Sequence, residues 1–288
     1  MALGIAVLLV LGQVVGGLLS GSVALLADAA HVATDAVGVG LALFASTMAA
    51  RPATLQRTFG WQRLEVLAAA VNAALLLAVG SWVLVEALTR LRDPGQVQTG
   101  TMLVVALLGM AANGVSLVVL SGADRDNLNI RGAHLEVLVD LLGSAAVVAA
   151  AVVLRYTAFE QADAVVAIGI ALAIVPRTLR LLREAIDVLL EATPRDVDLA
   201  DVRRHLLDTP GVLDVHELHV WTITSGLPVL SAHVVVDAHA LDRHGQTLDE
   251  LGSCLSGHFD VEHCTFQLEP AGHRAHERAG CTAPAALP

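Results

Sequence analysis

Two pairs of ionisable residues lie inside stretches that are otherwise apolar enough to cross a bilayer. His31 and Asp35 form one pair, Glu136 and Asp140 the other, and each pair is four residues apart. On a helix this spacing stacks two side chains on one face, one turn apart. Ionisable groups in a membrane are costly unless they are paired, hydrated or bound to an ion. Two helices that turn such pairs toward each other offer up to four nitrogen and oxygen donors, which suits a tetrahedral ion such as zinc. An interhelical hydrogen-bond clamp and a proton relay are the competing readings; the recurrence of the spacing in two spans favours an ion site. His134 lies two residues from Glu136, about 200° around the helix, and is expected to face elsewhere, toward the cytoplasmic entrance. Asn72 and Asn113 are expected to make helix-packing hydrogen bonds. Asp28 and Asp163, near the outer ends of their spans, are expected to be hydrated, with a place on an exit path as the functional alternative.

The elements that must position these residues are six apolar runs, near 3–20, 22–49, 64–89, 99–120, 132–154 and 163–182. Each approaches the roughly 20 residues that cross a hydrocarbon core about 30 Å thick. Composition agrees, with 55% hydrophobic residues, 16% charged and a mean hydropathy of +0.67, far from the soluble norm. The first run lacks a basic start and contains Gln13, so it reads as a span rather than a cleaved leader. All 17 basic residues are arginines. Arg51, Arg57, Arg63, Arg125, Arg131, Arg177, Arg180 and Arg183 fall on one side, and only Arg90, Arg92 and Arg155 on the other. The positive-inside rule therefore puts both termini in the cytoplasm of a multi-pass protein of the cell (inner) membrane.

A second kind of composition begins at Thr193-Pro194. Ten of the 12 histidines follow it, with 14 acidic residues against six arginines, so this part holds −8 of the formal charge of −11. A soluble acidic domain is implied. Its pattern predicts a helix near 198–208, strands near 212–223 and 229–237, a helix near 244–258 and a strand near 261–269. That order is ferredoxin-like with the first strand short or missing. The fold class is then an α-helical membrane protein, six transmembrane helices followed by a small α+β cytoplasmic domain. The expected domains are 1–192, 193–270 and a disordered tail over 271–288. Cys254, Cys264 and Cys281 show no CxxC spacing, so neither a disulfide framework nor a thiolate cluster is indicated.

The run Leu25-Leu26-Ala27-Asp28-Ala29-Ala30-His31-Val32-Ala33-Thr34-Asp35 resembles the second-helix signature of cation diffusion facilitators. Phe59-Gly60-Trp61-Gln62-Arg63 through Asn72 is similar to the start of that family's third helix, and Asn129-Ile130-Arg131-Gly132-Ala133 through Asp140 to its fifth. Val188 to Pro194 resembles the junction into its cytoplasmic domain. His216-Glu217-Leu218-His219-Val220-Trp221, Ser231-Ala232-His233 and His263 to Glu269 resemble strand motifs of that domain. The resemblance covers essentially the whole chain. It implies a homodimeric proton antiporter that exports a divalent metal, zinc first, with cobalt, cadmium, iron and manganese as alternatives. It implies a transport site at His31, Asp35, Glu136 and Asp140, and a regulatory cytoplasmic site at His216, His233 and Glu269.

Two features depart from the pattern. Glu136 stands where zinc-transporting relatives usually have His, and the His-rich segment that many relatives carry is absent. His219 is the next candidate ligand, whereas His205, His239, His244 and His258 are expected to be solvated. His273, His276 and Cys281 are candidates for loose metal capture. The implied partners are metal ions, protons, lipid and a second copy of the chain, with no nucleic acid and no prosthetic group; metal serves as substrate and regulator. An intramembrane metalloenzyme is disfavoured because no HExxH helix or GxSxG turn is present. A membrane-bound metal sensor without transport would need only the cytoplasmic cluster.

Overall fold

A computed structural model describes residues 2–121, 128–261 and 263–273. Six long helices come first: α1 Ala2–Ser20, α2 Val23–Ala49, α3 Arg63–Arg92, α4 Thr99–Ser121, α5 Leu128–Tyr156 and α6 Ala162–Leu189. The last five are long and apolar enough to cross a membrane. With its 19 residues, α1 reaches about 28 Å at 1.5 Å per residue. The tail beyond 273, with His276 and Cys281, lies outside the described residues, as do Arg125 and the side chain of Arg131.

The chain divides into two compact units. One comprises residues 1–44 and 68–183; the other comprises 45–67 and 184–288. In the first, small residues let helices approach closely: Ala24, Ala27, Ala87, Ala106, Ala150, Ala151, Ala167 and Ala171 are all buried in one core. Val85, Val118, Val119, Leu142 and Leu172 are exposed on the outside, where lipid would cover them.

Asp163, expected to be hydrated, is instead 2% exposed. From the start of α6 its carboxylate accepts from the Val23 amide at 2.7 Å, the Ala24 amide at 3.3 Å and the Ser22 hydroxyl at 2.5 Å. The first turn of α2 has free amides that no helical carbonyl can satisfy, and a carboxylate at that end also suits the helix dipole. A residue 140 positions away in sequence thus caps α2.

In the second unit, α6 ends in a turn with Glu191 at φ 58°. The Ala192 amide donates to the Asp187 carbonyl at 2.9 Å, a helix-terminating motif that normally selects glycine. The Glu191 carboxylate accepts from Arg63 at 2.8 Å. There follow α7 Leu199–Leu207, β1 Val212–Thr222, β2 Pro228–Val236, a short α8 Ala238–Asp242, α9 His244–Phe259 and β3 His263–Pro270. Asp198 caps α7 by accepting from the Ala200 amide at 2.8 Å.

The sheet order is β1-β2-β3, with β1 antiparallel and β3 parallel to β2. In a βαββαβ plan the first strand sits between the third and fourth. With that strand missing, as the sequence predicts, the parallel pair joined through α9 closes directly. Val202, Leu206, Leu230, Ala232, Val234, Leu251 and Leu255 form the core between sheet and helices.

A bulge in β1 sets the phase of the sheet. His216 pairs with His233 and His219 with Ser231, so two residues of β1 oppose one of β2. Glu217, at φ 46°, supplies the kink. Core contact passes from Val215 to Val220, five residues apart, while the opposite face keeps His216 and His233 together.

Candidate metal centres

Within the membrane unit, α2 and α5 bring His31, Asp35 and Asp140 together, one ligand atom from each lying within 4.8 Å of the others. His31 Nδ1 is 3.5 Å from Asp35 Oδ2, and His31 Nε2 is 3.5 Å from Asp140 Oδ1. These separations are too long for good hydrogen bonds. Indeed His31 Nδ1, Asp35 Oδ2 and Asp140 Oδ1 are buried atoms with no hydrogen-bond partner. Two donors on one tetrahedral zinc, each about 2.0–2.1 Å from it, stand about 3.3–3.4 Å apart. Either separation taken by itself, Nδ1 to Asp35 or Nε2 to Asp140, therefore matches one edge of a coordination shell. A neutral imidazole and two carboxylates would also balance the charge of a divalent ion.

Glu136 is not among these three. Its side chain is exposed, one turn before Asp140 on α5, and His134 is half-buried. Gly38, which the sequence reading passed over, continues the His31/Asp35 face of α2. A Cβ there would lie 2.5 Å from Asn72 Nδ2, and Asn72 Oδ1 is buried without a partner. Asn72, expected only to pack, thus crosses α2 one turn from Asp35 with an unused carbonyl oxygen. The signal was a glycine in a helical run, which often marks close backbone approach.

Asp28 is 3% exposed, against the expectation of hydration. It accepts from Gln13 Nε2 at 3.1 Å and from Ser144 Oγ at 3.2 Å, and Asn113 Nδ2 donates to Ser144 at 3.3 Å. This buried network satisfies the polar groups of α1, α2, α4 and α5, which suits the packing role expected of Asn113. Gly109 and Gly143 leave room for it, since a Cβ at either would crowd Gln13 or Asp28.

On the outer face of the sheet, the bulge and the register gather His216, His233 and Glu269. Glu269 is 1% exposed; its Oε2 is 3.2 Å from His216 Nε2 and its Oε1 is 2.8 Å from His233 Nδ1. Gln267 Nε2 donates to Oε1 at 2.8 Å, and the two imidazole centroids are 5.1 Å apart. A fully buried carboxylate held between two imidazoles is a ready donor set for a transition metal. His219 lies apart, with Nε2 3.3 Å from Glu217 Oε2. Cys264 packs against the core, and burial pushes its thiol pKa up, so it is a poor source of thiolate.

Comparison with known proteins agrees with this architecture. The family described as the cation efflux transmembrane domain matches residues 1–190, and that described as the cation efflux protein, cytoplasmic domain, matches 194–271. The chain is 45% identical over 270 residues to the metal cation efflux system protein CzcD of Cupriavidus metallidurans, covering 94% of this chain and 85% of that one. It is 40% identical to the zinc transporter ZitB of Escherichia coli, over 93% of this chain and 85% of that one. A Bacillus subtilis protein named as a cadmium, cobalt and zinc/H(+)-K(+) antiporter is 35% identical, over 93% and 86%. A solved structure of the metal-bound C-terminal domain of the C. metallidurans CzcD transporter shares 45% identity over 25% of this chain and 99% of that one, at a TM-score of 0.24.

Proposed function

The chain belongs to the cation efflux family, and from that membership we propose that it is a proton-coupled antiporter exporting a divalent transition metal from the cytoplasm. It is a multi-pass membrane transporter, not an enzyme. Zinc is the first substrate, with cadmium and cobalt next, since zinc is named for relatives at 40% and 35% identity and cadmium and cobalt for the one at 35%. Iron and manganese complete the panel to be tested.

The observation that carries the transport reading is the half-buried trio of His31, Asp35 and Asp140, which offers one ligand atom each within 4.8 Å of the others, with His31 Nδ1, Asp35 Oδ2 and Asp140 Oδ1 lacking a hydrogen-bond partner. In the proposed cycle the ion enters from the cytoplasm and binds these three, with Glu136 swinging in as a fourth ligand. An imidazole gives only one nitrogen to a given ion, so His31 must commit one and leave the other free for a proton. Protons returning to the site from outside would displace the ion and reset the carrier, and the ring, with a nitrogen toward each carboxylate, is placed to receive them.

The cytoplasmic trio of His216, His233 and Glu269 is proposed as a regulatory site. The acidic domain would repel its copy in a homodimer, and bound cations would lower that repulsion and favour closure. The proposed location is the inner membrane with both termini cytoplasmic, a reading that the arginine distribution supports. The deciding experiment is uptake of zinc into otherwise empty proteoliposomes on a pH step. Absence of pH-driven uptake, with metal binding retained, would reduce the protein to a sensor.

A further inference from the structure

The connector between α2 and α3, residues 50–62, is tied at both ends to helices long and apolar enough to cross a membrane, so it runs close to the bilayer surface. It is a built turn rather than a slack loop. The Thr54 amide donates to the Arg57 carbonyl at 3.0 Å, and the Arg57 amide donates to the Thr54 carbonyl at 3.1 Å and to the Thr54 hydroxyl oxygen at 3.2 Å. The Gly60 amide closes a second turn on the Arg57 carbonyl at 2.9 Å, and its φ of 66° is one that a side chain disfavours. These bonds hold Leu55 at the tip, where it is 95% exposed. Turn tips ordinarily carry Gly, Asn, Asp, Ser or Pro. A single exposed Leu needs no explanation by itself; its neighbours supply one here.

Between Asp35 and Glu65 the chain holds three arginines, Arg51, Arg57 and Arg63, and no acidic residue. Arg63 is taken by Glu191. Arg51 and Arg57 are exposed, and among the described residues neither guanidinium meets a carboxylate, although their compact unit also contains the acidic cytoplasmic domain. The Arg57 guanidinium lies over the Trp61 ring, 3.7 Å from its centroid, a stacking that fixes the direction of the cation. Phe59 is engaged elsewhere, edge on to His263 at 5.5 Å. One short ordered segment thus presents an apolar tip, two guanidiniums without a counter-ion and an indole. Tryptophan favours the headgroup level of a bilayer, arginine pairs with phosphate, and an apolar tip gains by entering the acyl boundary.

We propose that residues 51–61 form a docking site for the headgroups of anionic phospholipids, in which Arg51 and Arg57 bind the lipid phosphate, Trp61 lies at headgroup level and Leu55 enters the acyl boundary. Charge decides the kind of lipid. An anionic surface attracts exposed arginines near it and repels the domain that holds −8 of the chain's formal charge, so this segment is where such a surface and this chain attract each other. The free guanidiniums also argue against the acidic domain as the occupant, since it is at hand and leaves them unpaired. The segment joins α2, which carries His31 and Asp35, to α3, which carries Asn72, so a lipid held here restrains the cytoplasmic ends of both helices. Only the choice of the cytoplasmic leaflet rests on the orientation proposed above; the binding is independent of transport.

The test places the full-length chain, with Trp82→Phe and Trp221→Phe so that only Trp61 emits, in nanodiscs of phosphatidylcholine with a minority of phosphatidylglycerol. Bromine is carried on the acyl chains of one lipid or the other at equal mole fraction, and quenching of Trp61 is read. Brominated phosphatidylglycerol should quench several-fold more than brominated phosphatidylcholine, and the excess should shrink as salt is raised. Joint Arg51→Gln and Arg57→Gln should remove the excess, and Leu55→Glu should lower quenching by both lipids. A second probe keeps every tryptophan. Leu55→Cys, in a chain whose three native cysteines are replaced by Ser, should react several-fold more slowly with a charged thiol reagent when phosphatidylglycerol is added to phosphatidylcholine nanodiscs. Equal quenching by the two lipids, or an excess that survives the double arginine variant, would overturn the proposal. So would a tip that neither lipid quenches and whose thiol reactivity ignores the lipid, for a second copy or the cytoplasmic domain would then cover it.

Discussion

His31 Nε2 on α2 stands 3.5 Å from Asp140 Oδ1 on α5, and Asp140 Oδ1 has no hydrogen-bond partner. Two helices far apart in sequence thus meet through a gap that a hydrogen bond does not close and an ion would. Buried polar atoms are almost always satisfied. His31 Nδ1, Asp35 Oδ2 and Asp140 Oδ1 are exceptions, and these three atoms on α2 and α5 are the ones proposed above to hold the transported ion.

The first expectation is that Asp35→Asn and Asp140→Asn each reduce zinc uptake into proteoliposomes by about a hundredfold or more, equivalent to roughly 2.7 kcal/mol of lost ion stabilisation. Both should insert and unfold like the parent, because each substitution keeps size and removes only charge. Uptake at the parental rate by either variant would remove that residue from the site.

Glu136 and His134 give a second, discriminating pair. With Glu136 ionised as fourth ligand, a site holding a divalent ion would carry a net negative charge, so either one of the carboxylates keeps a proton while the ion is bound or a nearby cation offsets the charge. Glu136→Ala should weaken zinc binding, Glu136→His should sharpen preference for zinc over manganese, and His134→Ala should change little. If His134→Ala abolishes transport while Glu136→Ala does not, the roles are exchanged. The measurement is a competitive metal panel on reconstituted protein.

Much of this architecture was legible because membranes penalise polarity. A His and three carboxylates in apolar runs stand out, and the four-residue spacing assigns them to faces without knowledge of the packing. The change to an acidic, His-rich composition at Thr193-Pro194 was equally plain from charge, whereas the compact units divide at 183/184 and the second takes in 45–67, which composition did not signal. The tertiary details were hidden. Asp163 caps a helix 140 residues earlier, a partnership with no local signature, and so it read as a hydrated carboxylate. The two-for-one bulge at Glu217 resets the strand phase, and strict alternation cannot express that. Gly38 meets Asn72 only because α3 crosses there. Glu136 has the right spacing yet lies exposed, because spacing fixes a direction around the helix and not the distance to a partner.

The Asp163 cap makes the third expectation. Asp163→Ala leaves the Val23 and Ala24 amides and the Ser22 hydroxyl without their acceptor in a buried corner. Loss of a cap costs about 0.5–2 kcal/mol, and the upper end applies where water cannot substitute. Thermal unfolding should fall by several degrees, while zinc transport per folded molecule stays near parental. Asp163→Asn keeps one acceptor oxygen and should lie between the two. Transport lost with unchanged stability would restore the exit-path role instead.

Gly38 supports a fourth. Gly38→Ala would place a Cβ 2.5 Å from Asn72 Nδ2, so α3 or the Asn72 side chain must move, one turn from Asp35. Transport should drop although no proposed ligand is altered. Asn72→Ala in the same chain should recover most of it by removing the clash, a non-additivity that neighbours show and distant sites do not. Equal transport by Gly38→Ala and the parent would mean that this crossing does not support the site.

The last expectation concerns Glu269. Its carboxylate is 1% exposed and lies between His216 and His233, so its burial is compensated by those imidazoles and by Gln267. A metal held there by the folded state alone must raise stability by mass action, about 2.7 kcal/mol when the free ion is a hundredfold above its dissociation constant. The comparison is best made in a chain that also carries His31→Ala and Asp35→Asn, so that the membrane site contributes nothing. In that background zinc should raise the unfolding temperature of the cytoplasmic domain, and a chelator should return it to the metal-free value. Glu269→Gln keeps the shape and one acceptor but removes the charge that draws the cation, so it should abolish most of the zinc-induced rise. Magnesium at about millimolar concentration should not replace zinc, because imidazole suits transition metals. If Glu269→Gln responds to zinc like its parent, the carboxylate serves only to orient the two histidines, and the cytoplasmic ligand set must be sought elsewhere in the domain.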